Sequence, residues 1–152
     1  GGSLPTSHPI HIPEIMLSRF IRRTGAVIQR RTFASGITRL HAEHPNMCQT
    51  VVHESTGVVY LAGQVPDDYS LDAKGQTKEV LSKIDTLLEE VGSDKSKLLS
   101  AQVWVKTMDD FGAVNEIWQG WVDPENKPCR AAVEANMAHP DILVEVMVTA
   151  SK

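Results

Sequence analysis

The stretch "ILVEVMVTA", residues 142–150, constrains the fold more than any other part of the chain. Side chains along a β-strand alternate between two faces. Ile142, Val144, Val146 and Val148 therefore share one face, and Leu143, Glu145, Met147 and Thr149 share the other. The first face is wholly aliphatic. The second is not ordinarily polar either, because Leu143 and Met147 lie on it. A strand apolar on both sides belongs to a sheet that is covered on both sides.

The rest of the chain supplies cover for one side. "MCQTVVH" (47–53) and "VVYLAGQV" (58–65) read as two strands joined at the turn "ESTG", which suggests a hairpin. Val80, Leu81, Ile84, Leu87, Leu88 and Val91 recur with helical period, predicting an amphipathic helix over roughly 73–91 with Gly92 as its C-cap. "LSAQVWVK" (99–106) is a third strand. Phe111, Val114, Trp118 and Trp121 line a second helix over roughly 109–122, with Thr107 and Asp110 at capping-box spacing. Residues 129–135 and 142–150 are the last two strands. The order β-β-α-β-α-β-β predicts an α+β sandwich with both helices on one sheet face. By the same alternation Tyr60 and Trp104 join Leu143 and Met147 on the other face, which is then expected to lie against another subunit.

Two charges interrupt this pattern. In "CRAAVEA", Ala131, Val133 and Ala135 point one way, while Arg130, Ala132 and Glu134 point the other. If the all-aliphatic faces of both final strands meet the helices, Arg130 and Glu145 project together from the face away from them. Charged side chains are rarely buried without a partner. One reading is a structural ion pair or a solvated edge charge. The other is a cleft between subunits, with Arg130 suited to gripping a carboxylate bidentately and a half-buried Glu145 able to move protons to or from a water.

Charge and composition narrow the class. The net charge of −4 divides unevenly: residues 1–45 hold six Arg against Glu14 and Glu43, a balance of +4, and residues 46–152 carry −8. An acidic body is a poor footprint for phosphate backbones, so nucleic acid is not an expected partner. No run approaches the roughly 18 apolar residues of a membrane span. Residues 1–15, with three prolines, read as appended or linker sequence. Residues 16–45 read as a basic leader and connector. "MLSRFIRRTGAVIQRRTFASG" is Arg-rich, Ser/Thr-containing and acid-free, the composition of a mitochondrial transit peptide, with a cut expected before Ala34. The folded body is expected over 46–152.

Other constellations are weaker. His41 and His44 have metal-like spacing but no evident third ligand. Cys129 precedes Arg130, which favours a thiolate, but alternation turns it toward the opposite face, where a packed thiol is expected. Cys48 and Cys129 form no disulfide framework. No GxGxxG, P-loop or GxSxG motif is present.

Four segments in order, "YLAGQVP" (60–66), "FGAVNEIW" (111–118), "PCRAAVEA" (128–135) and "LVEVMVTA" (143–150), resemble the reactive-intermediate deaminase family, also called RidA, YjgF/YER057c or endoribonuclease L-PSP. The resemblance covers about 47–150. It implies a chorismate-mutase-like β-β-α-β-α-β-β domain, a homotrimer with clefts between subunits, and no metal or organic cofactor. Members of the deaminase type hydrolyse enamines and imines, such as 2-aminoacrylate, to 2-oxo acids and ammonia. On this resemblance Arg130 matches the arginine that binds the substrate carboxylate, and Glu145 the acid that orients or activates water. Gly63 matches the glycine beside the ligand, and Asn115 the motif asparagine near the cleft. Two positions depart: Ala62 stands where serine is common, and Ala132 where cysteine is frequent, leaving only backbone contacts at Ala132. The first strand's aromatic has no clear equivalent around 46–48. The rival classes are a non-catalytic carboxylate-binding or regulatory protein and a ribonuclease.

Overall fold

The computed structural model describes residues 31–33 and 36–152; the expectations placed on residues 1–30 and on the cut before Ala34 lie outside them. The chain forms β1 (Arg31–Phe33), β2 (Ile37–Leu40), β3 (Thr50–His53), β4 (Val58–Leu61), α1 (Ala73–Glu89), β5 (Leu98–Val105), α2 (Phe111–Trp121), β6 (Cys129–Glu134) and β7 (Val144–Ser151). One sheet runs in the order β1-β2-β3-β4-β7-β5-β6. The β-β-α-β-α-β-β order read from the sequence is present as β3 through β7. All described pairings are antiparallel except β5 with β6. Parallel neighbours need a crossover, and α2 supplies it.

Both helices pack on one sheet face, as expected. That face is built from Leu40, Val52, Val59, Ala101, Val103, Val105, Val144, Val146, Val148 and Ala150, each at most 2% exposed. α1 meets it with Val80, Leu81, Ile84 and Leu88, and α2 with Val114 and Trp118. Burial of each such side chain is worth roughly 1.5–3 kcal/mol relative to exposure. The helix ends have local causes. Asp72 caps α1 by accepting from the Gly75 N–H at 2.8 Å, and Gly92 takes a positive φ of 77° just beyond it. The capping box expected at Thr107 and Asp110 is not formed. Thr107 Oγ1 accepts from Asp109 N–H at 3.2 Å and caps a 3-10 turn, Met108–Asp110, that leads into α2.

The folded sheet starts earlier than residue 46. Ile37–Leu40 pairs along its full length with β3, and Thr38 and Leu40 are buried on the helix side. The basic composition around these residues masks a four-residue strand whose alternate side chains enter the core. Leu40→Ala should therefore destabilise the protein by about 2–4 kcal/mol, measured by urea unfolding. An unchanged midpoint would place β2 outside the cooperative core.

Candidate active site

Register decides which face each charge occupies. Residues opposite one another across a ladder project to the same side. Arg130 lies opposite Ala101, and Ala132 opposite Val103. Ala101 and Val103 in turn lie opposite Val148 and Val146, all core residues. Arg130 and Ala132 therefore face the helices. Glu145 lies opposite Trp104, which lies opposite Val133, and this row forms the open face. The expectation that Arg130 and Glu145 share the face away from the helices is corrected: only Glu145 is there. Ala131 and Val133 occupy the open side of β6, and Val133 is 50% exposed. An edge strand can carry aliphatic residues outward because an edge is only half covered by its own domain.

On the helix face, α2 builds a seat for Arg130. Asn115 and Trp118 lie three residues apart and project from one side of the helix. Asn115 Oδ1 accepts a hydrogen bond from Arg130 Nη1 at 2.6 Å. The guanidinium carbon lies 4.7 Å from the Trp118 ring centroid and 6.0 Å from that of Phe111. A planar guanidinium stacks favourably on an aromatic face. Arg130 Nε and Nη2 are buried and have no hydrogen-bond partner among the described residues. These two N–H groups form one side of the guanidinium, the edge that grips a carboxylate with two parallel hydrogen bonds. Burial lowers the Arg130 pKa from its usual value, yet a guanidinium remains protonated. The site therefore presents a seated cation with two unpaired parallel donors.

Neighbouring backbone adds to it. The Ala135 N–H donates to Val105 O at 2.9 Å, toward β5. Strand alternation then leaves the N–H and C=O groups of Arg130, Ala132 and Glu134 on the free edge of the sheet. Ala132 offers those groups and a methyl packed against the core.

On the open face, Glu145 is half-buried and has no hydrogen-bond or ionic partner among the described residues. Burial raises its pKa above the usual carboxylate value. Gly63 lies directly against it. A Cβ at residue 63 would sit 1.9 Å from Glu145 Oε1, so only glycine accepts the carboxylate in this position. Gly63 thus belongs with Glu145, and Asn115 with Arg130.

The remaining candidates resolve simply. Cys129 is exposed, not packed as expected, because it lies on the open side of the edge strand; Cys48 is half-buried. His41 Nε2 lies 2.6 Å from Glu90 Oε2, and among the described residues no three ligating side chains converge on a metal position. Trp118 is only 6% exposed, so it serves the core, as expected, and also seats Arg130. Sequence reasoning passed over that second role, although the i, i+3 spacing from Asn115 pointed to it. Among the described residues no helix is long and apolar enough to cross a membrane.

A family model described as Endoribonuclease L-PSP matches residues 37–152, which include β2. A RutC family protein of Haemophilus ducreyi is 47% identical over 62% of this chain and 81% of its own length. The RutC family protein YoaB of Escherichia coli is 36% identical over 76% of this chain and 97% of its own. A crystal structure of a YjgF family member from Neisseria meningitidis superposes with a TM-score of 0.73 at 36% identity, covering 78% of this chain and 96% of that one. These three are bacterial proteins and lend no support to a mitochondrial location for this chain.

The raised Glu145 pKa has a consequence for stability. Between its unfolded and folded pKa values the native state binds more protons than the unfolded state, so stability falls as pH rises through that window. Glu145→Gln should therefore raise the melting temperature at pH 7, and the gain should vanish below the unfolded-state carboxylate pKa. Thermal melts across pH test this; equal melting temperatures at pH 7 would contradict it.

Proposed function

The chain belongs to the endoribonuclease L-PSP family, which also includes the YjgF and RutC proteins, and we propose that within it this protein is an enamine/imine deaminase. It would hydrolyse 2-imino acids of the 2-aminoacrylate type to 2-oxo acids and ammonia. The observation that carries this reading is the pair of buried, unpaired donors at Arg130 Nε and Nη2, with the guanidinium seated by Asn115 and Trp118. A buried cation with two free parallel donors is a receptor for a small carboxylate.

On this reading Arg130 fixes the carboxylate of the imino acid and the edge backbone of Ala132 adds hydrogen bonds. Glu145, kept beside the Gly63 main chain, holds the hydrolytic water. The water adds to the imine carbon as Glu145 takes up its proton. With the imine nitrogen entering protonated, the resulting carbinolamine takes that proton on nitrogen, the C–N bond breaks to release ammonia, and the hydroxyl oxygen forms the C=O bond as its proton returns to Glu145. Orientation of carbon and water is the main source of acceleration, with proton transfer by a carboxylate whose raised pKa suits work nearer neutrality.

Arg130 and Glu145 lie on opposite faces of one sheet, so one chain does not bring them together. We infer that the site is composite. The Arg130 edge of one protomer would meet the Glu145 face of the next, a head-to-tail contact that closes into a ring. The half-exposed Tyr60 and Val133 support an interface on that open face. A homotrimer is the assembly this reading proposes. A monomeric mass by light scattering at micromolar concentration would remove it.

The same geometry favours one alternative. The carboxylate grip is complete within a single chain, whereas the water-holding group is not near it. A protein that binds 2-oxo acids without turnover would need only the grip. Arg130→Ala separates the two when assayed with freshly generated 2-aminoacrylate and by calorimetry with a 2-oxo acid. Turnover in the wild type that falls by about two orders of magnitude or more in the variant, with assembly retained, is the expected outcome. Saturable binding with no wild-type turnover would favour the binding protein, and full activity in Arg130→Ala would refute the role.

A further inference from the structure

The main chain beside Glu145 is irregular. β4 and β7 pair Tyr60 with Thr149. The next bridge beyond that ladder pairs Gln64 with Val146. Four steps on one strand therefore oppose three on the other, so one extra residue is accommodated in a bulge. Gly63 lies within it. The bulge is held at both ends. Gln64 N–H donates to Val146 O at 2.8 Å, and Val146 N–H donates to Gln64 O at 3.0 Å. Ala62 N–H donates to Gln49 O at 2.9 Å.

The Gln64 side chain closes the irregular segment on itself. It is only 7% exposed. Its Nε2 donates to Gln49 Oε1 at 2.8 Å and to Ala62 O at 3.0 Å. The amide thus spans the bulge from residue 64 back to residue 62 and ties both to the residue preceding β3. A buried primary amide with both N–H groups used is a rigid strut. What it braces is a stretch of backbone that lies against the Glu145 carboxylate.

We propose that Gln64, with Gln49 as its acceptor, is a positioning residue that holds the Gly63 main chain against Glu145 and so sets where that carboxylate lies. The proposal deepens the deaminase reading and rests on it for its kinetic test. Gln64 touches no substrate; it acts through Gly63 and Glu145. The carboxylate grip at Arg130 lies on the other face and does not depend on it. The titratable side chains on the strands flanking β7 are few. By alternation Tyr60 of β4 and Lys106 just beyond β5 share the open face, and Lys106 Nζ is bonded to Pro140 O. The bulge lies against the carboxylate, and burial, to which that contact adds, raises the Glu145 pKa.

Gln64→Met keeps the volume and removes the amide. In the imine hydrolysis assay kcat should fall by on the order of tenfold, while KM stays within about twofold. The acidic limb of the kcat profile should move to lower pH, because a loosened bulge lets water reach the carboxylate and returns its pKa toward the ordinary value. Gln49→Ala removes only the acceptor and should shift the same limb by less; it also serves if Gln64→Met fails to fold. Unchanged kcat and limb, or equal changes in kcat and KM with an unmoved limb, would overturn the proposal. If the wild type hydrolyses no imine, the deaminase reading fails but the strut is still tested. A carboxylate-labelled glutamate NMR titration would then show the Glu145 midpoint lowered in Gln64→Met, and an identical midpoint in both proteins would overturn it.

Discussion

The two-residue period of β7 is the constraint from which the rest follows. β7 lies between β4 and β5 in the interior of the sheet. Its Val144, Val146, Val148 and Ala150 are at most 2% exposed and meet the helices. A slip of one residue would put Glu145 into that core and four apolar side chains on the other face, a change worth several times the roughly 1.5–3 kcal/mol of one buried side chain. The core therefore fixes the height and side of Glu145. The loop before β7 is pinned in the same frame. Gln76, fully buried on α1, donates to Asp141 O at 2.9 Å and accepts from Leu143 N–H at 2.8 Å. The position of the proposed catalytic carboxylate is thus inherited from packing that has nothing to do with chemistry.

Arg130 is held by different means because β6 is an edge strand. Its aromatic and hydrogen-bonding neighbours Phe111, Asn115 and Trp118 come from α2, which reaches the sheet as the crossover between β5 and β6. The guanidinium carries a full charge into a half-buried place, which is costly without compensation. Asn115 supplies one neutral acceptor and Trp118 a π-face, but no carboxylate among the described residues pairs with it. Glu134, on the same side of β6, instead accepts the Met108 N–H at 2.8 Å. The compensation is thus partial, and on the proposed reading the substrate carboxylate would complete it.

The sequence made the elements legible and the relation between them only partly so. Periodicity located α1, α2 and the five strands β3 to β7, because Val80, Leu81, Ile84 and Leu88, and the valines of β7, each keep one strict period. Alternation within β6 was also read correctly: Arg130 and Ala132 do oppose Ala131 and Val133. What alternation cannot supply is the phase of one strand against another. That needs the pairing Ala101↔Arg130, and both sides of β6 carry small apolar residues, so the aliphatic set was assigned to the wrong face. β2 was hidden for another reason: four residues with Arg39 among them are too few to outweigh a basic context. Gln64 lies inside "YLAGQVP", which pointed to Gly63, yet its role depends on a bulge that no single strand pattern contains.

Placing Arg130 and Glu145 on opposite faces has a physical advantage that a shared face would lack. An arginine and a glutamate within about 4–6 Å stabilise each other's charged forms, and the glutamate pKa falls. Such a pair would occupy the guanidinium fork and leave Glu145 a weak base. With the sheet between them, the fork stays open and burial alone acts on Glu145, raising its pKa. Among the described residues each group is left with an unmet interaction: a cation lacking an anion, and a carboxylate lacking a donor. On the composite-site reading, assembly brings these two deficits to one cleft only where a substrate carboxylate and a water can fill them. The substrate then takes the place of the ion pair that the fold prevents within one chain.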